Sequence, residues 1–175
     1  APAANTIHNV IGGRLFMFIG AYLDAKELGY CFTDSADVYL PDGSLFQPDF
    51  SIVLKENEQI ITWGGDIYGV PDMVVEILSK STKKRDVTIK KDTYERNGVR
   101  EYWTTDPWIK SVAVYLLRDG KYEFDDEYIL FDEKEFEKLN DAEKAAVKTE
   151  VPVSILDGLK IPLDFIFFGK QSNLI

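Results

Sequence analysis

Pro48-Asp49-Phe50-Ser51-Ile52-Val53-Leu54 and Met73-Val74-Val75-Glu76-Ile77-Leu78 are the two stretches that decide how this chain folds. The second is apolar at odd and even positions alike. That pattern reads as a central strand covered on both faces. Glu76 is the exception within it, because a carboxylate buried there needs a partner or a metal. The first stretch opens on Asp49 and continues into a strand, so this acid sits at a rigid strand end. Pro-Asp alone is a weak signal, since it also occurs at 41–42, in a turn sequence, and at 71–72.

Working outward, Ser81 or Thr82 can cap a helix running to about Arg96, with Asn97-Gly98 as its stop. Strands follow at Glu101–Thr104 and Val112–Leu117, and Asp119-Gly120 turns the chain into Tyr122-Glu123-Phe124. The charged stretch 133–148 reads as partly helical, and Phe165-Ile166-Phe167-Phe168 as packed on the core. Upstream, Ile7, Ile11, Leu15, Phe18 and Tyr22 recur at spacings of four and three, which predicts a helix over 6–28 with Gly29 as its stop. Pro41-Asp42-Gly43-Ser44 predicts a hairpin between Val38–Leu40 and an arm running from Leu45 through Asp49 to Leu54. Gln59–Trp63 reads as a shorter strand or loop edge. The order of elements is that of a mixed α/β layer fold.

The length, 175 residues, fits one domain spanning 1–175. The single Cys31 cannot form an internal disulfide, so a reducing cytoplasm is the default compartment. One His and one Cys exclude a standard structural zinc cluster. Leu15–Leu23 is too short to span a bilayer, so no membrane role is expected. The absence of an initiator Met leaves open that residues ahead of Ala1, a leader included, were removed. The net charge of −10 argues against a broad DNA-coating surface. Its distribution is uneven: residues 119–150 hold 12 acids and 5 bases, whereas 80–100 hold 8 bases and 3 acids. A basic segment therefore lies beside the two acids, although solvated faces are the ordinary meaning of such runs.

Each candidate site residue has an ordinary alternative. Asp49 can be a turn aspartate, and Glu76 a buried acid paired with Lys or Arg. Asp72 lies four residues before Glu76 on one strand face and is a reserve metal ligand. Asp86, Lys90 and Tyr94 fall on one helical face, which would deliver Lys90 toward Glu76 if turned inward. If turned outward, Asp86 and Lys90 form an exposed pair of little consequence. His8 borders an apolar helical stripe, where a structural role is the commoner one. Two carboxylates and an ammonium group are what a protein needs to hold Mg²⁺ and activate a water on a phosphodiester.

Taken together, Phe46-Gln47-Pro48-Asp49-Phe50, Gly69 to Thr82, Lys84-Arg85-Asp86 to Lys90, Tyr94 and Gly98-Val99-Arg100-Glu101-Tyr102-Trp103-Thr104-Thr105-Asp106-Pro107 resemble the Uma2 family. Ile7 to Leu15 resembles that family's first helix, and the likeness is weakest after about residue 125. The family is placed in the PD-(D/E)XK superfamily. The resemblance therefore implies an α/β, restriction-endonuclease-like core, a central mixed β-sheet flanked by helices, with a C-terminal extension of strands and irregular chain. It implies a bacterial, Mg²⁺- or Mn²⁺-dependent endonuclease acting on nucleic acid, DNA before RNA, and it allows a homodimer. Asp49, Glu76 and the carbonyl of Ile77 would hold the metal, and Lys90 would orient the water. Leu78 stands where the superfamily usually has lysine, so Lys90 is the relocated substitute and Lys80 its rival. His8, Asp72, Asp86 and Tyr94 are auxiliary positions. A non-catalytic protein that binds a partner or assembles, keeping the acids as a polar network, is the competing expectation.

Overall fold

In this computed structural model, residues 2–79 and 85–170 are described. The chain opens with helix α1, Pro2–Lys26, which starts earlier and ends sooner than the apolar stripe predicts. Gly29 begins a strand instead of merely ending the helix: β1, Gly29–Thr33, pairs antiparallel with β4, Phe50–Leu54. A side chain at Gly29 would place its Cβ 2.4 Å from the Val53 carbonyl oxygen, so only glycine permits this approach.

The expected hairpin is present between β2, Asp37–Tyr39, and β3, Leu45–Phe46. Its second arm does not run on to Leu54. Pro48 has no N–H to give a ladder, so the chain breaks there and β4 joins a different sheet. The region expected as a strand near Gln59 is mostly a 3-10 helix, Lys55–Ile60, followed by an unexpected β5, Asp66–Tyr68, parallel to β2. β6 is Met73–Ile77, α2 is Arg85–Asn97, and β7, β8 and β9 are Glu101–Asp106, Ser111–Arg118 and Lys121–Ile129. The caps expected at Ser81 or Thr82, and Lys80, lie outside the described residues.

The main sheet has the order β1-β4-β6-β7-β8-β9, with β6 and β7 parallel and the other neighbours antiparallel. Alternation divides its side chains between two cores. Phe50, Ile52, Met73, Val75, Ile77 and Trp103 face α1 and the C-terminal segment. Val53, Val74 and Tyr102 face α2 and the β3-β2-β5 sheet. The architecture is thus a central mixed sheet flanked by helices. After β9 come α3, Glu133–Glu137, and α4, Asp141–Ala146, each opened by a capping box. Strands β10, Glu150–Pro152, and β11, Lys160–Pro162, then pair before α5, Leu163–Phe168, which buries Phe165, Ile166 and Phe167 and leaves Phe168 exposed. No helix among the described residues is long and apolar enough to cross a membrane.

Candidate active site

The register of β4 on β6 pairs Phe50 with Val75, which brings Asp49, one residue earlier, to the level of Glu76. Ladder pairing cannot continue through Pro48, and the Asp49 carboxylate replaces it. Its Oδ2 accepts the Ile77 N–H at 2.6 Å. Because N–H and C=O of one extended residue point to the same side, the Ile77 carbonyl projects to this edge too. The other oxygen, Oδ1, lies 3.3 Å from Nδ1 of His8 on α1. Nε2 of His8 is buried and makes no hydrogen bond.

Glu76 follows Val75 and so turns to the α2 face. Lys90 and Tyr94, one helical turn apart, meet it there: Lys90 Nζ and Tyr94 Oη each donate at 2.8 Å, to Oε2 and Oε1 respectively. Glu76 is 5% exposed. Burial pushes its carboxyl up to about 7, the Lys90 ammonium partly offsets this, and the Asp49 charge adds to it. Burial also raises the Tyr94 hydroxyl well above its usual value, with Glu76 reinforcing the shift, so Tyr94 stays a donor. Lys90 retains some solvent access, while Asp49 and His8 are mostly covered.

The remaining expected positions separate. Asp72 lies at the other end of β6, where its oxygens meet the Leu54 N–H at 2.8 Å and Arg100 at 3.3 Å. It braces strand ends and stands about 13 Å along the strand from Glu76. Asp86 sits one turn before Lys90 in α2, and its side chain is outside the described residues, as is Lys80. Leu78 is half-buried and donates its N–H to the Thr105 carbonyl.

Three neighbours went unread in the sequence. Asn9, Thr33 and Asp34 join His8, Gly12, Gly13 and Asp49 around an open cleft of about 160 Å³. Thr33 and Asp34 become visible only once β1 is recognised as a strand. A Cβ at Gly13 would stand in open space, and one at Gly12 would lie 3.5 Å from the Asp49 carbonyl oxygen, an ordinary contact.

The profile of the Uma2 family, described as "Putative restriction endonuclease", matches residues 1–141. This chain belongs to the Uma2 family. The Uma2 match takes in α1, the whole six-stranded sheet and α2, and ends at the start of α4. A solved structure titled as a "putative nuclease belonging to DUF820" from Anabaena variabilis is similar over 92% of this chain and 80% of its own, at 20% identity and a TM-score of 0.65. At that identity the likeness establishes the shared fold. Among curated proteins none matches.

Proposed function

We propose that this protein is a metal-dependent nuclease that hydrolyses phosphodiester bonds of nucleic acid, DNA first, in a bacterial cytoplasm. The observation that carries the reading is Glu76, a buried carboxylate at the level of Asp49, with Lys90 bonded to it from α2. The donor set fits Mg²⁺ or Mn²⁺. Each carboxylate oxygen uses one hydrogen bond and keeps acceptor capacity, the Ile77 carbonyl faces the same edge, and the Asp49 charge adds to the cost of ionising Glu76. Among the described residues no three acidic, His or Cys side chains are grouped so as to hold a metal ion.

Asp49, Glu76 and the Ile77 carbonyl would hold the ion, which when bound would polarise the scissile phosphate and stabilise the leaving oxygen. Ile77 N–H and His8 fix the rotamer of Asp49, and Tyr94 fixes that of Glu76. Lys90 positions a water with its remaining N–H groups and favours the ionised form of that water. Hydrolysis is direct, with no covalent enzyme intermediate.

Glu76 already paired with Lys90 and Tyr94 also favours a second reading, a non-catalytic protein that keeps the acids as a polar network. Cleavage of single- and double-stranded DNA and RNA with Mg²⁺ or Mn²⁺, alongside calorimetric titration of the metal, separates them. The nuclease reading expects metal binding and cleavage in the wild type and loss of both in Asp49→Ala. Equal cleavage by the two proteins removes Asp49 from the site. An Asp49→Ala-insensitive metal titration with no cleavage of any substrate favours the polar network.

A further inference from the structure

The two edges of the main sheet are built differently. Edge strand β9 carries Lys121, Glu123, Asp125, Asp126 and Glu127, and its pairing with β8 shifts register between Val114 and Tyr115. Charges and a bulge are how sheets discourage further pairing. Edge strand β1, Gly-Tyr-Cys-Phe-Thr, has no charge, no proline and an unbroken register with β4. Lys55 N–H donates to the Leu28 carbonyl at 2.8 Å, which fixes the hydrogen-bonding phase of this pair. Tyr30 and Phe32 turn their main-chain groups toward β4, and Gly29, Cys31 and Thr33 turn theirs outward.

That outward edge lies in a groove of about 470 Å³ between α1 and the loop bearing Trp63. Phe16 and Met17 form one wall, 45% and 60% exposed, and Trp63, 72% exposed, forms the other. Trp63 stands edge-on to Tyr30 with ring centroids 5.0 Å apart. Asp24 is the one charged residue lining the groove, on a chain of net charge −10.

We propose that a second copy of this chain covers this groove, its β1 pairing antiparallel with the first across a two-fold axis near Cys31. The pairing is self-complementary, as such an interface must be. Gly29 of one copy then faces Thr33 of the other, and the outward ladders pair through both main-chain groups of Cys31 and through the Thr33 N–H, while the Thr33 carbonyl already accepts the Ser35 N–H at 2.7 Å. The axis stands perpendicular to the joined sheet, so Phe16 and Met17 of both copies meet on the α1 side and Trp63 of both on the opposite side. Charge favours this occupant: two chains of net charge −10 meet with little repulsion at a groove whose one charged lining residue is Asp24, whereas a basic partner is drawn to the acidic β9 edge. The Cys31 thiol, pushed up to about 12 by burial and by Asp24, is not a thiolate and takes no covalent part. The pairing does not depend on the nuclease reading. If both hold, the clefts at the two Thr33 ends lie about 14 Å apart along the strand direction.

Sedimentation velocity over a concentration series tests this, combined with amide exchange of β1. The expected result is a two-chain species with Cys31 and Thr33 amides slowing as concentration rises. Met17→Asp and Trp63→Asp, both at exposed positions, should keep the wild-type circular dichroism and each weaken dimerisation at least about tenfold. A monomer at every concentration overturns the proposal and leaves the groove to a different partner. A dimer that both variants leave intact, with β1 amides still exchanging fast, overturns it as well.

Discussion

Two donors converge on Glu76, yet its carboxyl still titrates near pH 7, because hydrogen bonds to a buried anion replace only part of its lost hydration. The sign of the consequence is definite. An unfolded chain releases this proton near the ordinary 4.5, whereas the fold keeps it to about 7. The fold therefore binds the extra proton. The resulting stabilisation is complete below about pH 4.5 and is lost as pH rises through about 7, amounting to about 3 kcal/mol at most. Urea denaturation of metal-free wild type and Glu76→Gln across pH 4–8 should show this slope in the wild type alone. Parallel curves would mean that folding leaves the Glu76 carboxyl at its ordinary value. Glu76 was legible as an anomaly in the sequence because nothing else interrupts the apolar run of β6. Lys90 and Tyr94 were legible as a shared helical face. Contact between His8 and Asp49 was not, since the two are 41 residues apart and only the packing of α1 against β4 brings them together.

At the scale of elements, α2 is a polar helix anchored by few groups. Tyr94 is fully buried, packs against Phe46 and Tyr102, and reaches Glu76, while Thr93 is nearly as deep. Tyr94→Ala should cost about 4 kcal/mol through the cavity and the lost bond. Hydrogen exchange should locate the damage, with amides of 87–97 losing protection well before those of α1. Uniform loss across the sheet would show that α2 does not open independently. The elements that sequence reasoning missed share a cause. β1 and β5 are short, lack clean alternation, and owe their extended form to distant partners, β4 and β2. β6 needed no such help, since all five of its residues are buried and read as apolar but for Glu76.

Across the whole molecule, one unforeseen acid joins distant parts. Glu101 is fully buried at the start of β7 and accepts from Trp103 Nε1 at 2.8 Å, Ser154 N at 3.1 Å and Ile155 N at 2.9 Å. It fastens the segment after β10, which lies beyond the Uma2 match, to the sheet that carries Glu76. Glu101→Ala leaves three donors without an acceptor and should destabilise by about 3 kcal/mol, read from the denaturation midpoint. A loss below about 1 kcal/mol would mean that water replaces the carboxylate. The general layering was legible from the order of strands and helices, whereas the link through Glu101 depends on a contact spanning 54 residues.

The Asp49 carboxylate stands in for a missing main-chain acceptor at Ile77, which gives the residue two separable reasons to persist. Should the nuclease reading hold, a descendant that gave up hydrolysis would still need an acceptor there to keep β4 and β6 from fraying. Lys90 likewise has a structural reason to persist, because its loss would leave the buried Glu76 carboxylate with Tyr94 as its remaining donor among the described residues. Retention of the acid in any relative then testifies first to an intact strand end, and retention of the lysine to a satisfied buried carboxylate.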